Sequence, residues 1–193
     1  MAATVLDSGR RVFTNLKSIL FTPYTSESAI GNATYDLVNI VGDTTSVEQA
    51  DNDVQTIEHE FSSSPLYESV TLGDKTFTCE CIDFQNNVLE NLFGWATETE
   101  GDAFAPVAYK DLYCKVEMQF NSTEDIVVLP KVRMNSKAVL SSLKTDASRG
   151  TISGTCYPAY VKAGSKEYKT DMAIIGKKHA ADYSVSTTPT VNS

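Results

Sequence analysis

Residues 113–120, YCKVEMQF, alternate without interruption. Cys114, Val116, Met118 and Phe120 fall on one side of an extended chain; Tyr113, Lys115, Glu117 and Gln119 fall on the other. A period of two suits a strand with one packed face and clashes with the 3.6-residue period of a helix. The run KTFTCECID at 75–83 repeats the pattern, with Phe77, Cys79 and Cys81 inward and Thr76, Thr78 and Glu80 outward. LFTPY, YDLVNIV, DVQTIEHEF, DIVVLPKVRM and GTISGTCYPAYV are further strand candidates. Turn signals separate them at Gly31-Asn32, Gly42-Asp43, Gly73-Asp74 and Ser148-Arg149-Gly150. Many short strands at this spacing predict a mainly β protein, an antiparallel β-sandwich or partly rolled barrel.

One segment breaks the period. In DFQNNVLENLFGW, Phe84, Val88, Leu89, Leu92 and Phe93 recur at helical spacing, with Asp83 as N-cap and Gly94 just past the end. This predicts a flanking helix over about 83–93 whose apolar face packs on a sheet. NSKAVLSSLKT at 135–145 fits a short helix or a strand end. Residues 1–14 read as an N-terminal arm and 180–193, AADYSVSTTPTVNS, as a flexible Ser/Thr-rich tail. No repeat or linker divides the chain, so residues 1–193 read as one domain, a length that allows a real core without metals or disulfides.

The net charge of −9 is unevenly placed. Asp43 to Asp102 holds fourteen acids and one lysine, Lys75; residues 103–193 hold eight acids against twelve Lys and Arg. An acidic middle and a basic C-terminal part suit head-to-tail self-association. The aromatic residues do not interleave with a basic patch, so a nucleic-acid-reading surface is unsupported. No apolar run approaches the ~20 residues of a membrane helix. The start MAATVLDSGRRVFTNL has no apolar h-region; the expectation is a protein without a signal peptide, kept in a cytoplasm.

Cys79, Cys81, Cys114 and Cys156 do not form a C-x-x-C pattern, and only His59 and His179 are available beside them, so four reduced, buried thiols are expected. No G-x-S-x-G and no phosphate loop is present. The acidic stretch SVEQADNDVQTIEHE is the best metal candidate: Asp51, Asp53 and Gln55 echo the first ligands of an EF-hand. Thr56 then stands where a glycine is needed and Ser62 where a bidentate Glu is needed, so the match fails at both diagnostic positions. No catalytic residue, metal or cofactor is expected. The acids Glu48, Asp51, Asp53, Glu58 and Glu60 are read as a surface: 46–53 a polar loop, and 54–61 a strand with Ile57 and Phe61 packed and Glu58 and Glu60 wet.

The order of features is similar to a known family. An arm leads into a strand ending LFTPY, then the long polar loop VGDTTSVEQADNDVQ. SSPLYESVTLGDKTFTCECIDFQNNVLENLFG follows, a strand turning directly into an amphipathic helix, and then the late strands of VVLPKVRMNSKAVLSSLKTDASRGTISGTCYP. Over roughly residues 15–160 this resembles the major tail tube proteins of tailed bacteriophages and their relatives in contractile injection machines. The resemblance implies a β-sandwich or partly rolled barrel with a flanking helix, a long inter-strand loop and extended arms. It further implies stacked, usually hexameric rings forming a hollow tube. The implied partners are the subunit itself, a tape-measure protein in the lumen, tail terminator and baseplate or tip proteins at the ends, a sheath where the tail contracts, and DNA in passage; a membrane is not among them. The implied place is the virion tail, assembled in the host bacterial cytoplasm. An acidic lumen would repel DNA phosphates, and acids at a ring junction would meet the basic C-terminal half. Competing readings are a ligand- or calcium-binding β-sandwich, another virion β-protein such as a capsid decoration or tail terminator, and a small hydrolase using Glu58 and Glu60 or Cys79 with His59.

Overall fold

The computed structural model describes residues 13–37, 39–59, 62–82, 86–97, 104–106, 112–139 and 149–189. The strands β1 (Leu16–Ser26), β2 (Ala29–Ile30), β3 (Tyr35–Leu37), β4 (Ser46–Gln49), β5 (Asp53–His59), β6 (Ser62–Thr71) and β7 (Lys75–Cys81) precede one α-helix, α1 (Asn86–Leu92). After it come β8 (Trp95–Thr97), β9 (Phe104–Pro106), β10 (Tyr113–Phe120), β11 (Ile126–Met134), β12 (Lys137–Val139), β13 (Arg149–Tyr157), β14 (Ala159–Ala163), β15 (Lys166–Thr170), β16 (Ala173–Ile175) and β17 (Ser184–Ser186). The fold is mainly β and antiparallel, with one short helix, and the described strands form no closed barrel.

The alternation in the sequence builds the main sheet, ordered β2-β1-β10-β11-β13-β7-β4. Its inward residues form one core. Ile19, Phe21, Phe77, Cys79, Cys81, Cys114, Val116, Leu129, Val132 and Ile152 are fully buried. The sheet curls around them. Phe21 of β1 and Phe77 of β7, far apart in the strand order, meet edge to face with ring centroids 6.0 Å apart. The chain after β1 spans the gap: β3 pairs with β1, then the Val41 N–H donates to the Glu80 carbonyl and the Ile82 N–H to the Asn39 carbonyl.

The helix closes one side of this core. Val88, Leu89 and Leu92 are buried, and Phe93 packs against the same cluster; Phe84 lies outside the described residues. Gly94, the expected residue past the helix end, has φ +68°. The docking depends on a second glycine, since a Cβ on Gly150 of β13 would stand 2.4 Å from the Phe93 ring.

Pro130 shows how the sheet divides. A proline has no N–H to give and belongs at a bulge or an edge. It sits at the register shift between β10 and β11, where Cys114 faces Val132 but Val116 faces Leu129. On the other side of β11 the partner changes at the same place: β16 pairs with Ile126–Val128 and β13 with Lys131–Met134. β13, freed there, leads across to β14, which forms a second sheet in the order β15-β14-β17. Val128, Val161 and Ile175 make a smaller core between the two sheets.

Two sequence expectations are corrected. Residues 46–53 are not simply a loop, because Ser46–Gln49 pairs in register with Lys75–Thr78 as β4. The proposed flexible tail is not free over 184–189. β17 pairs with β14, and the Thr187 hydroxyl donates to the Ser28 carbonyl at 2.6 Å. The reason lies in Tyr183, which reaches the outer face of β10, over the Lys115–Glu117 ion pair, with the Lys115 Nζ 5.6 Å from its ring centre. Of the expected N-terminal arm, Phe13 and Thr14 also belong to the fold. Phe13 packs on Phe120 at 5.2 Å, and the Thr14 N–H donates to Ser122 Oγ.

Candidate assembly surface

The acidic stretch singled out in the sequence becomes one arm of a long β-ribbon. β4 pairs with β7 at the edge of the main sheet, and the ladder continues outward as β5 with β6. β5 and β6 form a two-stranded sheet of their own, so among the described residues their outer edges are unpaired.

The ribbon is hinged at its base by residues 50–52 and 72–74. The Ala50 N–H donates to the Asp74 carbonyl at 2.9 Å, and the Gly73 N–H to Asn52 Oδ1 at 3.2 Å. The strands press together so closely there that a Cβ on Gly73 would lie 2.1 Å from the Ala50 carbonyl oxygen. Just inside the hinge, Lys75 Nζ bonds both oxygens of Asp171, at 2.8 and 2.9 Å, with side-chain exposures of 16% and 27%. This two-pronged bond ties the foot of the ribbon to the loop between β15 and β16. It sits beside Cys156, whose thiol is pushed up to about 12, first by burial and then by the Asp171 carboxylate.

Glu48, Asp51, Asp53 and Asp74 are exposed along the base and lower ribbon. Glu58 sits on β5 opposite Pro65, at an irregular register; Glu60 lies outside the described residues. Among the described residues no group of three or more His, Cys, Asp or Glu is arranged to hold a metal ion, and no helix is long and apolar enough to cross a membrane.

Sequence reasoning missed the apolar part of this surface. Val54 and Val70 face each other across the ribbon, 51% and 54% exposed, and Leu72, just past the end of β6, is 69% exposed. Exposed single apolar residues are ordinary, but a cross-strand pair with a third two residues on is a patch. The signal was present in Val70-Thr71-Leu72, an alternating run directly ahead of the Gly73-Asp74 turn, once Asp53–Gln55 is recognised as its partner. Phe13, Leu16, Val47, Met118, Phe120 and Met172 line a separate groove of about 350 Å³ beside the main core, with no titratable group among its described lining residues.

The four cysteines lie buried in the core, none of them in a disulfide. Burial pushes the Cys114 thiol up to about 12 and that of Cys79 higher still, the reverse of what activates a nucleophile.

No family model matches the chain, and no curated protein matches it. Among solved structures, a chain of the anti-feeding prophage (AFP) baseplate, a six-fold symmetrised cryo-EM structure, is 11% identical, with 89% of this chain and 99% of that chain covered and a TM-score of 0.43. A likeness at this level carries no argument about what the chain does.

Proposed function

We propose that this protein is a structural subunit that associates with copies of itself into stacked, hexameric rings, forming the hollow tail tube of a phage-like particle through which DNA passes. The observation that carries the reading is the ribbon. A two-stranded hairpin alone is marginal in water. Exposed strand edges and apolar side chains are a hazard that natural proteins remove unless a partner covers them. A ribbon whose two edges are unpaired among the described residues and which shows Val54, Val70 and Leu72 to solvent is suited to meet another chain. The net charge of −9 discourages retention of a passing polyanion. The reading assigns no catalysis, in keeping with a neutral, buried Cys79. Its partners are the subunit itself, a tape-measure protein in the bore, terminator and baseplate proteins at the ends, and a sheath if the tail contracts. Its place is the virion tail, assembled in a bacterial cytoplasm.

Electron microscopy of the purified protein, paired with sedimentation over a wide range of salt and concentration, tests this. Rings or tubes with a central bore are expected. A monomer under every condition refutes the proposal.

A further inference from the structure

The end of β1, the helix α1 and the start of β10 meet at a pocket that shares no residue with the ribbon. Its volume is about 340 Å³, within the ~300–1,000 Å³ usual for small-ligand sites. Tyr24, Ser26 and Glu27 line it from β1 and the turn after it, Glu90 and Asn91 from α1, and Tyr113 from β10. Local chemistry puts these groups there. Ile19 and Phe21 turn into the core, so alternation sends Tyr24 to the outer face of the sheet; Cys114 and Val116 do the same for Tyr113. Val88, Leu89 and Leu92 take the inner side of the helix, which leaves Glu90 exposed.

The aromatic part of the pocket is fixed in place. Pro23 pairs with Cys114, so Tyr24 and Tyr113 are cross-strand neighbours, edge to face with ring centroids 6.5 Å apart. On its other side Tyr113 meets Tyr157 at 6.4 Å. The Tyr24 hydroxyl donates to the Pro130 carbonyl at 2.8 Å. Lys131 Nζ lies 4.5 Å from the Tyr113 ring centre and 5.9 Å from that of Tyr24, and donates to the Glu27 carbonyl at 2.9 Å. The Thr187 hydroxyl fastens the same turn through the Ser28 carbonyl at 2.6 Å. A site ordered in advance spends little free energy on ordering when a ligand arrives.

The polar part is rich in acceptors. The Glu27 carboxylate is 78% exposed and stands 4.0 Å from Lys131 Nζ, beyond hydrogen-bond length. An apolar ligand would cover the carboxylates of Glu27 and Glu90 without giving them donors. An anion would meet two like charges. A cation would be drawn to the carboxylates, but the ammonium of Lys131 already lies over both rings and would repel it there. A polyol has neither fault. Its hydroxyls donate to carboxylate and amide oxygens, and the C–H face of its ring packs on an aromatic surface.

We propose that this pocket binds a neutral sugar, with Tyr24 and Tyr113 as the packing surface and Glu27, Glu90 and Asn91 accepting from its hydroxyls. The proposal does not depend on self-assembly.

Saturation-transfer NMR and calorimetry on the full chain test it, with maltose, cellobiose and N,N′-diacetylchitobiose as probes and free arginine and hexanol as the cationic and apolar comparisons. At least one sugar should bind, with a Kd of about 1 mM. E27Q/E90Q keeps the shape of both side chains and removes the charge that strengthens each hydrogen bond; it should weaken binding about tenfold or more. Ser26→Trp fills the pocket and should abolish binding. Both variants change exposed positions and should keep the wild-type melting temperature. Glu48→Gln, on β4 and outside the pocket, should bind as wild type does. If none of the three sugars binds, or if arginine or hexanol binds and they do not, the proposal is overturned. A sugar that binds E27Q/E90Q and Ser26→Trp as tightly as wild type sits elsewhere, which overturns it equally. Each of these results leaves the self-assembly reading standing, because pocket and ribbon have no residue in common.

Discussion

Replacing Val54 and Val70 with Thr and Leu72 with Thr separates folding from association. Threonine keeps the β-branched shape at the two valine positions, so the ribbon retains its strand preference. The three residues are already 51%, 54% and 69% exposed in the single chain, so little burial is lost on folding. Full burial of such a side chain is worth about 1.5–3 kcal/mol. The half to two-thirds still exposed at each position amounts to about 3 kcal/mol when a neighbouring copy covers all three. That is roughly a 100-fold change in the concentration at which subunits associate. The assay is sedimentation velocity across a dilution series, with thermal unfolding of the dilute monomer as the control. A melting temperature within a few degrees of wild type is expected, together with a large rise in the association threshold. If the threshold does not move, the apolar face of the ribbon is not at a subunit contact, and the argument from its exposure is wrong.

Thiol chemistry gives a second check. The four cysteines should resist a thiol reagent at pH 8 in the native protein and react fully once it is unfolded. Because burial raises the thiol pKa from 9.0 to about 12 for Cys114 and Cys156, the unfolded chain releases those protons first. Stability should be complete below pH 8 and fall as pH rises from about 9 toward 12, seen as a dropping urea midpoint; a flat profile would contradict the burial. Gly73→Ala should break the ribbon base, since its Cβ has no room beside Ala50, and hydrogen exchange should quicken first at the Ala50 and Gly73 amides; unchanged protection there would disprove the close contact. Removing residues 183–193 deletes β17 and uncovers the Lys115–Glu117 pair. A loss of about 3 kcal/mol or more is expected from the buried parts of Tyr183 and Val185, and a truncated chain as stable as the full one would mean that this segment is the free tail its composition suggests.

Much of the fold was legible because it rests on local chemistry. The alternation in 75–81 and 113–120 put Phe77, Cys79, Cys81, Cys114, Val116 and Met118 on the buried face, where they lie. A mixed apolar and polar strand has only one orientation that keeps its charges wet. Helical spacing located α1, and Gly94 marked its end. The acidic stretch was recognised as surface because its ligand spacing failed, and Glu48, Asp51 and Asp53 are exposed.

What the sequence left open concerns partners distant along the chain. SVEQ reads as a loop until Lys75–Thr78 is beside it, because a four-residue polar strand has no period long enough to see. The C-terminal residues read as a tail because Ser, Thr and a lone Tyr183 bury little by themselves. Only when β14 is brought alongside and the Lys115–Glu117 pair lies beneath the ring does ordering them return more free energy than it costs. The sequence by itself determined the β architecture, the inward residues, the helix and the uneven charge, since each follows from neighbours within a few positions. The tertiary structure alone decided that the acidic segment becomes a two-stranded ribbon carrying apolar side chains and that the C-terminal strands fold back as a second sheet, β15-β14-β17. Both depend on which strands are brought side by side, and that is set by the whole topology.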